Sequence, residues 1–221
     1  MIFPNFLITE MCSGYALDLV FLVDSSRSIK GSNPSDDSYD NWELLKSFVT
    51  NMIDALDIGE DTAHVGLVSF SGQAKSVFYL NTQYVKSDIK DWVENLQCCQ
   101  PGTNIAGALN EAILYQFVNS RGDRPNVPNL VVLLTDGKHS NKDPLPWAQI
   151  AHDVYGIQII SVGIGSNMDE EQLKRISSPP HQLGSDYFIS DDFVALEDQV
   201  KEALLKQACL TAAGKFRAGI H

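Results

Sequence analysis

Asp24, Ser26 and Ser28 stand in the stretch LDLVFLVDSSRSI, Leu17 to Ile29, where an apolar run ends in a carboxylate followed by two alternate hydroxyls. Oxygen donors of this kind suit a hard divalent cation. A second carboxylate, Asp136, closes the most apolar run of the chain, Leu130–Leu134, in the context Leu-Leu-Thr-Asp-Gly. Thr103 lies in the loop Gln97–Thr103, just before a helical pattern. Neutral hydroxyls with few carboxylates favour magnesium or manganese, with calcium a further candidate. Few negative charges leave such an ion electrophilic, with a coordination position open to an outside carboxylate.

These five positions need a frame that brings distant parts of the chain to one face. Apolar runs alternate with helical patterns, which predicts an α/β fold: a doubly wound (Rossmann-like), mostly parallel six-stranded sheet, helices on both faces and one antiparallel edge strand. The predicted strands are Leu17–Val23, Ala63–Phe70, Ser76–Leu80, Leu130–Leu134, Ile157–Ile164 and Tyr187–Ile189. Leu45, Phe48, Val49, Met52, Ile53 and Leu56 share one helical face behind a capping pair, Asp40 and Glu43. Further helices are expected from Ser87 to Leu96, from Ile105 to Phe117, from Pro144 at a first helical position behind the capping carboxylate of Asp143, near Asp169–Ile176 and through Phe193–Leu204. Ligands of such sheets bind outside the carboxyl ends of the strands, where Asp24 and Asp136 fall.

The 221 residues read as one domain spanning 16–209, with 1–15 an N-terminal arm or cloning remnant and 210–221 a C-terminal tail. A net charge of -12 repels phosphate backbones and argues against a nucleic-acid partner. No run approaches the roughly 18 apolar residues of a membrane span, so no membrane insertion is expected.

Cys12 and Cys209 bracket the domain, and termini of open α/β sheets often lie close together, so a Cys12–Cys209 bridge is expected. It points to an extracellular or secretory compartment. Cys98 and Cys99 are adjacent, and three states stay open: a vicinal disulfide, pairing with other chains, or two thiols.

Asp24-x-Ser26-x-Ser28, Thr103 after Pro101-Gly102, and Asp136 in Leu-Leu-Thr-Asp-Gly together resemble the metal-ion-dependent adhesion site (MIDAS) of von Willebrand factor A domains. The resemblance covers residues 16 to 209. DSSRSI, Arg124-Pro125-x-Val127-Pro128 and a cysteine ending the last helix are most similar to matrilins and related matrix A domains. The resemblance implies a secreted, non-enzymatic adhesion module. Asp24, Ser26 and Ser28 would form the core of its metal site, Thr103 and Asp136 would bind directly or through water, and an acidic side chain of a matrix protein, collagen being one candidate, would complete the coordination.

Gly31–Asp40 is longer than the compact family loop and carries Asp36, Asp37 and Asp40, which could select partners or form a solvated acidic loop; the second reading is preferred. Arg27 and His139 are further candidates for facing a ligand, with a local ion pair the simpler role for Arg27. Arg121-Gly122-Asp123 is an RGD tripeptide on the opposite side of the sheet and reads as an ordinary turn, not an integrin ligand. An Mg-dependent phosphoryl-transfer enzyme is the rival class. A haloacid-dehalogenase-like phosphatase would want a second Asp at position 26, and no histidine is placed as a base for a nucleophilic serine. A structural spacer with a little-used metal site is the remaining alternative.

Overall fold

The computed structural model describes residues 16–30, 41–137, 142–164, 168–190, 196–204 and 206. The expectations for Cys12, Cys209, Asp36, Asp37, Asp40 and His139 lie outside the described residues.

Six strands form one sheet: β1 (Leu17–Asp24), β2 (Ala63–Phe70), β3 (Ala74–Phe78), β4 (Asn129–Thr135), β5 (Gln158–Ile164) and β6 (Tyr187–Ser190). Their order is β3-β2-β1-β4-β5-β6, all parallel except β3, which runs antiparallel to β2 at one edge. All eight residues of β1 are buried, as its central place between β2 and β4 requires. Alternate side chains leave opposite faces of the sheet. Leu19, Phe21 and Val23 join one core with Leu45, Phe48, Val49, Met52 and Ile53, whereas Val20 and Leu22 join another with Ile105, Ala108, Leu109 and Ile113.

The helices divide accordingly. On the first face lie α1 (Asn41–Ala55), α2 (Lys86–Glu94, through Ile89 and Val93) and, after β6, the helical residues 196–204. On the second lie α3 (Ile105–Glu111), α4 (Leu145–Asp153) and Ile176 at the end of α5 (Glu170–Ile176). The doubly wound prediction matches this arrangement, with its antiparallel strand at the β3 edge.

Several boundaries differ from expectation. β3 spans Ala74–Phe78 instead of Ser76–Leu80, because a tight turn from Ser71 to Gln73 starts the antiparallel pairing at Ala74 opposite Phe70. The helix expected from Ile105 to Phe117 is regular only to Glu111 and widens into a π turn over Ala112–Gln116. The fully buried Gln116 amide there donates to the Phe78 carbonyl at 2.9 Å and the Ser76 hydroxyl at 3.1 Å, beside the register shift between Leu67 and Val68. Pro144 precedes α4 as its cap instead of opening it, and Asp143 accepts from the Leu145 N–H at 3.0 Å.

Candidate metal centre

The chain order places β2 and β3 on one side of β1 and β4 to β6 on the other, so the strand sequence reverses direction between β1 and β4. That reversal opens the crevice where doubly wound sheets bind ligands. Asp24 ends β1 and Asp136 directly follows β4, so both carboxylates stand at this crevice.

Asp24 is 0 % exposed and both its oxygens have partners. Oδ1 accepts from the Ser26 N–H at 2.9 Å, and Oδ2 accepts from the Thr135 hydroxyl at 2.6 Å. The first contact is an Asx turn that bends the chain out of the strand. Ser25 secures the bend on β2: its N–H and its hydroxyl both donate to the Phe70 carbonyl, at 2.7 and 3.0 Å. A 3-10 turn, Arg27–Lys30, follows, anchored by the fully buried Ile29. Ser26 and Ser28 thus meet, their hydroxyl oxygens 3.0 Å apart, and Ser28 donates to Asp136 Oδ1 at 3.0 Å. Asp24, Ser26, Ser28 and Asp136 therefore form one connected set.

The electrostatics suit a cation. Burial pushes the Asp24 carboxyl up to about 6, and the Asp136 charge adds to the rise, while hydrogen bonds from Thr135 and Ser26 pull the other way. Burial raises Asp136 as well, against the pull of the Ser28 hydrogen bond. Among the described residues no group of three His, Cys, Asp or Glu side chains gathers to hold a metal, so the cluster offers two carboxylates and otherwise hydroxyls. That donor set fits a hard divalent ion that keeps outside ligands.

Thr103 is buried in a loop joined to the same turn. The Cys99 N–H donates to the Ser25 carbonyl at 2.8 Å, the Arg27 N–H donates to the Gln100 carbonyl at 3.0 Å, and Ser26 pairs with Gln100 as an isolated parallel bridge. Beyond Thr103, the Asn104 N–H donates to the Ser71 carbonyl at 2.6 Å, and its side chain caps α3 by accepting from the Gly107 N–H at 2.9 Å. Gly72 lies so close to this loop that an added Cβ would meet the Pro101 carbonyl oxygen at 2.8 Å. Arg27, the first residue of the 3-10 turn, is exposed.

The RGD tripeptide is far from this cluster in the fold, at the amino end of the parallel strands. Gly122 takes a left-handed φ of 99°. The Arg121 guanidinium lies 4.0 Å from the centre of the Tyr79 ring, and Asp123 accepts from the Asn129 amide at 2.9 Å. Both charged side chains are turned into local contacts.

Three contributions were missed in the sequence. Thr135 looks like an ordinary motif residue in the sequence, but the Val23–Leu134 register sets it beside Asp24. Ser25 has no signal of its own between two site residues, yet it ties their turn to β2. Asp18, within the first apolar run, is 0 % exposed and meets Arg124 of the Arg-Pro-x-Val-Pro motif, whose N–H, Nε and Nη2 donate to it at 2.8, 2.9 and 2.6 Å. Burial pushes the Asp18 carboxyl up, and these Arg124 contacts pull it back. A carboxylate amid apolar neighbours was the available signal.

The sequence matches the family described as von Willebrand factor type A domain over residues 18–202. Mouse matrilin-1 is 34% identical over 198 residues, covering 90% of this chain and 37% of the relative. Chicken matrilin-3 is 33% identical over 172 residues, covering 76% of this chain and 36% of the relative. The chain thus spans little more than a third of these relatives, which are secreted, non-enzymatic proteins of the extracellular matrix. Among solved structures, proximal thread matrix protein 1 of the mussel byssus, with zinc in its MIDAS motif, superposes with a TM-score of 0.76 at 26% identity, covering 88% of this chain and 46% of its own. Manganese-loaded TRAP protein of Plasmodium vivax shares the fold, with a TM-score of 0.68 at 21% identity, covering 85% of this chain and 72% of its own. By its sequence match, its sheet order and its matrilin relatives, the chain belongs to the von Willebrand factor type A domain family.

Proposed function

We propose that this domain is an extracellular adhesion module that binds a matrix protein through a divalent cation at the Asp24 cluster. The observation that carries this reading is the connected set Asp24, Ser26, Ser28 and Asp136 at the sheet's switch point, where two carboxylates raised by burial face hydroxyls instead of further acids. Asp24, Ser26 and Ser28 would hold the ion, with Thr103 and Asp136 contributing directly or through water. Magnesium or manganese suits these donors best, with calcium as an alternative. The zinc at the MIDAS motif of the mussel relative supports a divalent metal at this position without specifying the ion. When bound, the metal would supply a Lewis-acidic position for an acidic side chain of the partner, and collagen is the first matrix protein to test.

The test is partner binding, measured by surface plasmon resonance with magnesium, with EDTA and for Asp24→Ala. The expected outcome is loss of binding in both the chelator and the variant, because removing a core ligand or the ion removes the bridge. Equal affinity in all three conditions would overturn the metal-bridged reading and leave the domain as a structural spacer.

A further inference from the structure

We infer that the adjacent pair Cys98 and Cys99, joined as a disulfide, is a thiol-exchange site through which a dithiol reductant loosens the metal-binding turn. The bond closes a small ring around a single peptide unit, within the Gln97–Thr103 loop that carries Thr103. Cys99 holds a left-handed φ of 80°, a conformation that side chains other than glycine rarely adopt. In that conformation its N–H donates to the Ser25 carbonyl at 2.8 Å, between Asp24 and Ser26. The next residue, Gln100, accepts from the Arg27 N–H at 3.0 Å and pairs with Ser26. The left-handed turn at Cys99 thus fastens both flanks of Ser26.

Cys98 packs against the core, yet both cysteines remain partly exposed, and Gln97 and Gln100 on either side are exposed. A cleft of about 540 Å³, lined by Ser25, Gln97 and Gln100 among others, opens alongside. A reductant can therefore approach the loop from solvent.

The reaction is ordinary thiol–disulfide exchange. A thiolate of the dithiol attacks one sulfur of the pair, and the Cys98–Cys99 bond breaks with its electrons passing to the other sulfur, which takes up a proton. The second thiol of the reductant then attacks the mixed disulfide. The protein gains two electrons and two protons as two thiols, and the reductant leaves as its own disulfide. Once the ring is open, Cys99 relaxes towards negative φ and its N–H turns away from the Ser25 carbonyl. Groups that orient metal ligands from behind typically change metal affinity by about 10- to 100-fold when lost. Weakening of about tenfold is expected on reduction.

The affinity part of this inference rests on the proposed metal centre, so the experiment carries a second readout that needs no metal. Manganese affinity, by electron paramagnetic resonance, and amide hydrogen exchange of the metal-free protein are measured before and after treatment with dithiothreitol. Three proteins are compared: wild type, Cys98→Ser/Cys99→Ser and Cys98→Ser/Cys99→Gly. In the wild type, reduction is expected to weaken manganese about tenfold and to speed exchange at the Cys99 and Arg27 amides. The double-serine protein behaves as reduced throughout. The serine–glycine protein, in which glycine adopts the left-handed turn freely, keeps tight manganese and slow exchange in both conditions. Unchanged exchange at Cys99 and Arg27 on reduction of the wild type overturns the inference, as does an equal response to reductant in the double-serine protein, which would trace the effect to Cys12 and Cys209. Absence of manganese binding by the oxidised wild type counts against the metal centre alone, and the exchange data still decide the role of the disulfide.

Discussion

Asp24 is a buried carboxylate whose ordinary pKa of 3.8 is pushed up to about 6 by desolvation. The metal-free fold therefore keeps its proton over a range where the unfolded chain has lost it. Stability present below about pH 4 is lost as the pH rises through about 6, on the order of 3 kcal/mol for a shift of this size. A bound cation favours the ionised carboxylate and offsets that loss, so added magnesium is expected to stabilise the protein more at pH 7.5 than at pH 4.5. Urea denaturation at the two pH values, with and without magnesium, checks this. Asp24→Asn should flatten the metal-free dependence, and an unaltered slope in that variant would remove Asp24 as its source. Ser26 and Ser28 carry no charge, so their part is geometric, set by the 3.0 Å contact between them and by Ile29 beneath the turn.

At the scale of elements, the strand ends matter more than the strand bodies. β1 is held at both ends by side chains from the β4 side of the sheet, with Thr135 on Asp24 at one end and Arg124, preceding β4, on Asp18 at the other. Asp18 is fully buried, so removing its partner leaves an uncompensated charge. Arg124→Ala should therefore destabilise the fold by roughly 3–5 kcal/mol. The double variant Asp18→Asn/Arg124→Met should recover much of this. Chemical denaturation measures both, and a double variant no more stable than Arg124→Ala would contradict the account of Asp18 as the cause. The Arg-Pro-x-Val-Pro motif, legible in the sequence only as a family resemblance, thereby acquires a physical role.

Across the whole molecule, parallel strands send every carboxyl end to one edge and every amino end to the other. The metal cluster and the RGD turn are thus separated by the length of the sheet. Arg121 is laid over Tyr79, and Asp123 is bonded to Asn129. Asp123→Ala is accordingly expected to leave magnesium-dependent partner affinity unchanged within about twofold, because surface changes away from a site act locally. A large loss of metal-dependent binding in that variant would place the turn in the interface.

Much of this was legible in one sequence, because apolar periodicity and strand-end carboxylates are local properties. The alternation of runs determined the sheet and its helices, and Asp24, Ser26, Ser28 and Asp136 could be chosen from residue type and spacing alone. The extent of β3, the π turn at Gln116 and the capping position of Pro144 were not legible, because the strand pairing and the packing around these segments set them. The same holds for Thr135 on Asp24, Arg124 on Asp18 and the Cys99 N–H on the Ser25 carbonyl. Each joins residues tens of positions or more apart, which meet only when the sheet assembles and fixes the strand register and the loops at its ends. The sequence by itself determined which residues could bind a cation. The tertiary structure decided which neighbours bury, orient and restrain them.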